Sequence, residues 1–152
     1  MAQKKTLHSY MHSVFIKERK LRGNDLARIG ISPGQPKMLH YIAAHNGGMQ
    51  KDIAQATGIE PPSATSILSI MERDGLISRE KAADDRRRMN IFITEKGKEK
   101  LTQIQALDSR HEELLLTGFS EEEKAQLIDF LLRMDDNAKK YTCQGKQTES
   151  AL

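Results

Sequence analysis

Leu7, Met11, Val14, Phe15 and Leu21 recur near a 3.6-residue period, which predicts a helix from Thr6 to about Ala27. Gly30 breaks it. Ser32-Pro33-Gly34-Gln35 has the S-x-x-Q form of a capping box, with proline at the first helical position. The helix it opens buries Met38, Leu39 and Ile42, and Asn46-Gly47-Gly48 stops it. A short helix follows from Gln50 to Thr57, with Ile53 and Ala54 inward, and Gly58 ends it. A residue before proline is pushed out of the α region, so Glu60 and Pro61 are expected to be extended. Pro62 then begins a helix that runs to Asp74, with Gly75 as its stop.

After Gly75 the period changes. Leu76 to Lys81 predicts a strand, Ala82 to Arg88 a turn, and Met89 to Thr94 a second strand. In the second strand Met89, Ile91 and Ile93 alternate with Asn90, Phe92 and Thr94, giving two faces. Thr94 is placed to cap a long helix from Glu95 to about Leu116. Ser120-Glu121-Glu122-Glu123 forms another capping box. It opens a last helix with Leu127, Phe130, Leu131, Met134 and Ala138 along one stripe, and the chain is expected to fray from about Thr142.

This order reads as a mainly α fold with a small two- to three-stranded antiparallel wing. The short helix, the turn at Gly58 and the next helix make a helix-turn-helix, and the hairpin behind it makes the unit winged. The expected division is a lobe at 32–100 flanked by dimerisation helices at 1–31 and 101–152. The amphipathic flanking helices offer stripes that so small a lobe cannot cover, which predicts a homodimer.

On a helical wheel of about 100° per residue, Ala64, Ile67, Leu68 and Met71 share one face of the helix after Gly58. Ser66, Ser69 and Arg73 lie opposite with Pro62, while Ser63 and Thr65 flank the first turn. An ordinary exposed helix carries Glu, Lys and Gln, which are better helix formers. Hydroxyls at Ser63, Thr65, Ser66 and Ser69 run against that preference. Short hydroxyl side chains let a helix sink into the major groove and bond base edges or phosphates. These residues are therefore the candidate DNA readers, with solvated surface as the alternative.

Charge and composition narrow the class. The chain of 152 residues carries 30% charged and 38% hydrophobic residues, a globular composition, with a net charge of +3. Six Lys/Arg (Lys4, Lys5, Lys17, Arg19, Lys20, Arg22) stand against Glu18 alone up to Arg22, and Arg86-Arg87-Arg88 sit at the predicted hairpin tip. Two basic regions suit a phosphate backbone. No apolar run is long enough for a transmembrane helix or a signal peptide, so a cytoplasmic location is expected. Cys143 is the single cysteine. It excludes an intrachain disulfide and a cysteine-based zinc site, and is read as a bystander or a redox thiol. No phosphate-cradling glycine loop, H-E-x-x-H motif or nucleophile elbow occurs, so neither an enzyme nor a cofactor is expected.

The stretch GLISREKAADDRRRMNIFITEKG, Gly75 to Gly97, resembles the multiple-antibiotic-resistance regulator (MarR) family. The family's wing pattern D-x-R-x-x-x-L-x-L-T is met by Asp85, Arg87, Ile91, Ile93 and Thr94, with isoleucine for both leucines. QKDIAQATGIEPPSATSILSIMERDGLI is similar to the family's helix-turn-helix. The resemblance implies a homodimeric repressor with intertwined terminal helices on a pseudo-palindromic double-stranded DNA operator. It implies that Arg87 enters a minor groove and that Asp85 holds the wing arginines, Arg86 and Arg88 among them. It also implies a small aromatic or phenolic ligand that releases DNA, in a cleft lined by some of His8, His12, Arg19, Met38 and His40. Relatives that sense oxidation use an N-terminal cysteine, which this chain lacks. His8 and His12 lie at i and i+4, but two histidines do not make a metal site. A winged helix that binds protein instead of DNA is the alternative function, against which the arginine-rich wing argues.

Overall fold

The computed structural model describes residues 6–82 and 89–148, with side chains to residue 141. Its elements are α1 (Leu7–Arg28), α2 (Gln35–Ala44), β1 (Gly48–Met49), α3 (Gln50–Thr57), α4 (Pro61–Arg73), β2 (Ile77–Lys81), β3 (Met89–Ile93), α5 (Glu95–Leu115) and α6 (Glu121–Thr148). The chain divides into two compact units, 1–111 and 112–152.

In the first unit the sheet order is β1-β3-β2, all antiparallel. Gly48 pairs with Ile91, and Ile77, Arg79 and Lys81 face Ile93, Ile91 and Met89. The predicted alternation holds for Ile91 and Ile93, which are buried, while Met89 at the outer end of β3 is exposed. Asn46 reinforces the short strand, its Oδ1 accepting the Ile93 N–H at 2.9 Å. The core joins Met38, Leu39 and Ile42 of α2, Ile53 and Ala54 of α3, and Ala64, Leu68 and Met71 of α4 to β2 and β3. Leu26 of α1 and Ile104 of α5 complete it.

Several helix ends differ from the sequence reading. The Ser32–Gln35 box is only half formed, because Gly34 at φ 93° is the N-cap and the helix starts at Gln35. Gln35 is buried and its Oε1 accepts the Ser32 N–H at 2.8 Å, but Pro33 lies before the helix. The box at Ser120 is reciprocal as expected: Ser120 N–H donates to Glu123 and Glu123 N–H to Ser120 Oγ. Helix α4 begins at Pro61, one residue earlier than predicted, and only Glu60 is extended. The first N–H groups of a helix have no intrahelical partner, so two prolines there forfeit no bond. Helix α6 runs on to Thr148, past the expected fraying point.

Three lysines close helix C-termini, where the free carbonyls are negative. Lys100 Nζ donates to Ile29 O after α1, Lys37 to Thr57 O of α3, and Lys96 to Asp74 O after α4. Between α1 and α5, Arg22 grips Asp108 through two bonds of 2.8 and 3.2 Å. One turn on, Asp25 Oδ2 accepts from His111 Nε2 at 2.9 Å, and His111 is only 3% exposed. That bond, seconded by the positive field of Arg28, holds the Asp25 carboxyl below the usual carboxylate range.

The second unit is a helical hairpin of the end of α5, a turn at Gly118 (φ 86°) and α6. It leaves much apolar surface open, with Phe130 52% exposed and Ile128, Leu131 and Leu132 comparable. In the first unit α1 does the same with Leu7, Met11, Val14 and Phe15.

Two stability tests follow from this packing. A Cβ on Gly97 would fall on the Leu76 carbonyl oxygen and 2.7 Å from Ile93 Cγ1. Gly97→Ala gains roughly 1 kcal/mol of helix propensity, but overpacking against backbone costs about 1–3 kcal/mol. The net result is a lower Tm by thermal melting; an unchanged or higher Tm contradicts the packing. For Asp25 the folded pKa is depressed, so its stabilisation is full above the unfolded carboxylate value, about 3.9, and is lost as pH falls through the folded one. Asp25→Asn should therefore lower Tm at neutral pH, and its gap from the parent should close on acidification below about pH 4. A gap independent of pH would show that the carboxylate charge is not what matters.

Candidate nucleic-acid interface

Helix α4 is held by its inner stripe. Ala64, Leu68 and Met71 have essentially no exposed surface, and Ile67 packs half-buried beside them. With that face fixed, Pro62, Ser63, Thr65, Ser66, Ser69 and Arg73 are all exposed, so the six candidate readers of this helix share its outer side.

The hydroxyls are not idle. Thr65 Oγ1 lies 2.9 Å from Pro61 O, Ser66 Oγ 3.1 Å from Pro62 O, and Ser69 Oγ 2.9 Å from Thr65 O. A carbonyl can only accept, so each hydroxyl gives its single proton back to the preceding turn. What Thr65, Ser66 and Ser69 then offer outward is oxygen lone pairs. Such a face suits N–H donors, including the exocyclic amines of adenine and cytosine. Arg73 supplies the cation at the far end, where its Nε also meets Asp74 at 3.0 Å.

The turn before α4 is tight because Gly58 adopts φ 65°, in the left-handed region, and caps α3. Between α3 and the start of α4 lies a depression of about 670 Å³ lined by Gln50, Lys51, Gln55, Ile59, Glu60 and Pro61 among others. Gln50, at the first position of α3, reaches across to donate its Nε2 to Thr65 Oγ1 at 2.6 Å. Helix α4 is also tied to the wing: Glu72 meets Arg79 of β2 at 3.4 Å. The remaining Arg79 nitrogens, Nε and Nη2, are buried with no hydrogen-bond partner among the described residues. Sequence reasoning missed both Gln50 and Arg79. The position of Gln50 at the first turn of the short helix was a usable signal; Arg79 on an alternating strand gave none.

Asp85, Arg86, Arg87 and Arg88 lie outside the described residues, on the connection between β2 and β3. The proposed ligand residues are not gathered. His8 and His12 stack with ring centroids 6.3 Å apart on the exposed face of α1, and Arg19 and His40 are exposed. Met38 is sealed in the core with no accessible surface. Neither this depression nor the smaller one at Phe130, Arg133, Met134 and Asn137 includes any of them.

The sequence profile of the MarR family matches residues 29–88, from the end of α1 to the wing. Over that stretch the chain is similar to the MarR family. Among solved MarR-family structures, MepR, a transcription regulator of the Staphylococcus aureus multidrug efflux pump MepA, is 27% identical with a TM-score of 0.74. That match covers 88% of this chain and 99% of MepR. The S. aureus MepR–DNA complex is likewise 27% identical, with a TM-score of 0.72 over 88% of this chain and 96% of that one. MarR itself, at 23% identity, shares the fold with a TM-score of 0.76 over 95% of this chain and 98% of its own. The shared fold thus extends across nearly the whole chain, with the winged lobe at its centre. Among the described residues no helix is long and apolar enough to cross a membrane, and no group of three or more His, Cys, Asp or Glu is placed to hold a metal.

Proposed function

We propose that this MarR-like chain is a sequence-specific double-stranded DNA-binding transcriptional regulator, a repressor acting as a homodimer. The observation that carries the reading is the outer face of α4, where hydroxyls and Arg73 stand exposed over a rigidly buried inner stripe. A similar protein solved on DNA, S. aureus MepR, supports it. Helix α4 enters the major groove with Ser66 and Ser69 nearest the bases. Pro62, Ser63, Thr65 and Arg73 contact bases or backbone around them. Arg86, Arg87 and Arg88 on the wing connection neutralise phosphates, Arg87 entering a minor groove and Asp85 orienting the arginines.

Dimerisation is supported by the apolar stripes left open on α1 and α6. A two-fold dimer calls for a pseudo-palindromic operator with half-sites about one helical turn, roughly 34 Å, apart. Release by a small aromatic or phenolic ligand remains part of the proposal. His8, His12, Arg19 and His40 offer it exposed polar groups, while Met38 could take part only after the core opens. Catalysis has no support in the site.

Binding to duplex DNA over a salt series tests the reading. Arg87→Ala should flatten the slope of log affinity against log salt by about one unit for each half of the dimer. Its melting temperature should barely change, since a charge that serves to meet DNA phosphates adds little to the stability of the free protein. Parent affinity with an unchanged slope would remove the wing from the interface. A chain ended after His111 keeps the first unit but loses α6. It should be monomeric by light scattering and bind DNA weakly; a truncated monomer with full affinity would contradict the dimer.

A further inference from the structure

We propose that Gln50, at the first turn of α3, reads an adenine in the major groove, with Thr65 as the residue that positions it. The inference rests on the DNA-binding reading and extends the base-reading set beyond α4. Its starting point is the 2.6 Å contact between Gln50 Nε2 and Thr65 Oγ1. Amide oxygen and nitrogen are not distinguished by shape, but the chemistry here assigns them. The Thr65 proton is committed to Pro61 O at 2.9 Å, so Oγ1 can only accept from its other neighbour. Gln50 must therefore present its NH2 to Thr65.

That bond fixes the carboxamide beside the Thr65 and Ser69 stripe before DNA arrives, which removes rotamer freedom that binding would otherwise have to quench. It uses one of two amide hydrogens. Among the described residues Gln50 makes no other side-chain hydrogen bond, so Oε1 and the second N–H remain available. The residue is half-buried and also borders the open depression between α3 and α4.

An acceptor and a donor on one planar group select among the bases. Adenine shows an N6 donor beside the N7 acceptor in the major groove and can satisfy both. Guanine shows two acceptors and leaves Oε1 unpaired; cytosine and thymine each offer a single polar group. Thr65, with its proton spent, adds only a lone pair, and so favours the same exocyclic amine.

The test selects bound duplexes from a random pool with the full chain, then measures affinity for the best duplex and each single base-pair replacement of it. Gln50→Ala, Thr65→Val and the double variant are measured on the same set. The parent should lose roughly 5- to 150-fold when one particular A·T pair per half-site is replaced. Gln50→Ala should bind that pair and its replacement alike, while keeping its discrimination at other positions and its melting temperature. Thr65→Val should lose part of the same discrimination, and the double variant should lose no more than Gln50→Ala. If alanine unfolds the short helix, Gln50→Glu keeps the length, removes the donor and should lose the same preference. A Gln50 variant that is folded and retains the parent's preference at every position overturns the inference and leaves the DNA-binding reading intact. A parent that selects no sequence overturns both.

Discussion

Everything outward on this protein depends on how closely α4 is seated against α2 and α3. Ala64 allows the helix axes to approach, and Leu68 and Met71 fill the space against Met38, Leu39, Ile42 and Ile53. Buried side chains of this kind leave no freedom to rotate the helix, because interiors pack at crystal-like density. Rotating α4 by one residue, about 100°, would bury hydroxyls and expose Leu68. The rigid inner stripe therefore sets which atoms a partner meets. Since the Thr65, Ser66 and Ser69 hydroxyls donate inward, they meet a partner as acceptors, with donors brought from α3 by Gln50 and from the helix end by Arg73.

Around this seat the fold uses charge at helix ends and apolar contact elsewhere. Lys37 and Lys96 close the C-termini of the two helices of the helix-turn-helix, and Lys100 that of α1. The α1–α5 contact rests on Arg22–Asp108 and Asp25–His111, pairs separated by 86 residues in sequence. Contacts of this type add less stability than they fix geometry, since burying polar and charged groups offsets much of the attraction. They hold α1 so that its apolar residues, Phe15 at 58% exposure among them, stay open. Open apolar stripes on both α1 and α6 match a partner surface better than water.

Local patterns in the chain carried most of the architecture. The 3.6-residue period placed the helices, and the switch to a period of two after Gly75 placed the hairpin, because both follow from which residues must be buried. Capping chemistry was read correctly at Ser120 and Thr94, whose side chains accept N–H groups at Glu123 and Gly97. It misled at Ser32, where Gly34 in a left-handed conformation starts the helix instead. Of the candidate interface, the exposure of the outer face of α4 was legible because it is one helix and one period. Gln50 carried a signal only in its place at the first turn of the short helix, while Arg79 and the Asp25–His111 pair depend on contacts between elements that no periodicity encodes. The ligand cluster drew on family likeness, and Met38 entered it although its own helical period places it in the core.

The central claim is that α4 and the wing together meet DNA while the core behind them does not. Titrating duplex DNA into the isotope-labelled full chain and following backbone amide signals tests it most directly. Signals of Ser63 to Arg73, Gln50 and the 82–89 connection should shift or broaden together, in a salt-dependent manner. Those of Leu39, Ile42 and Ile104 should stay in place. Shifts confined to α6, or no shift in α4 at low salt, would contradict the claim.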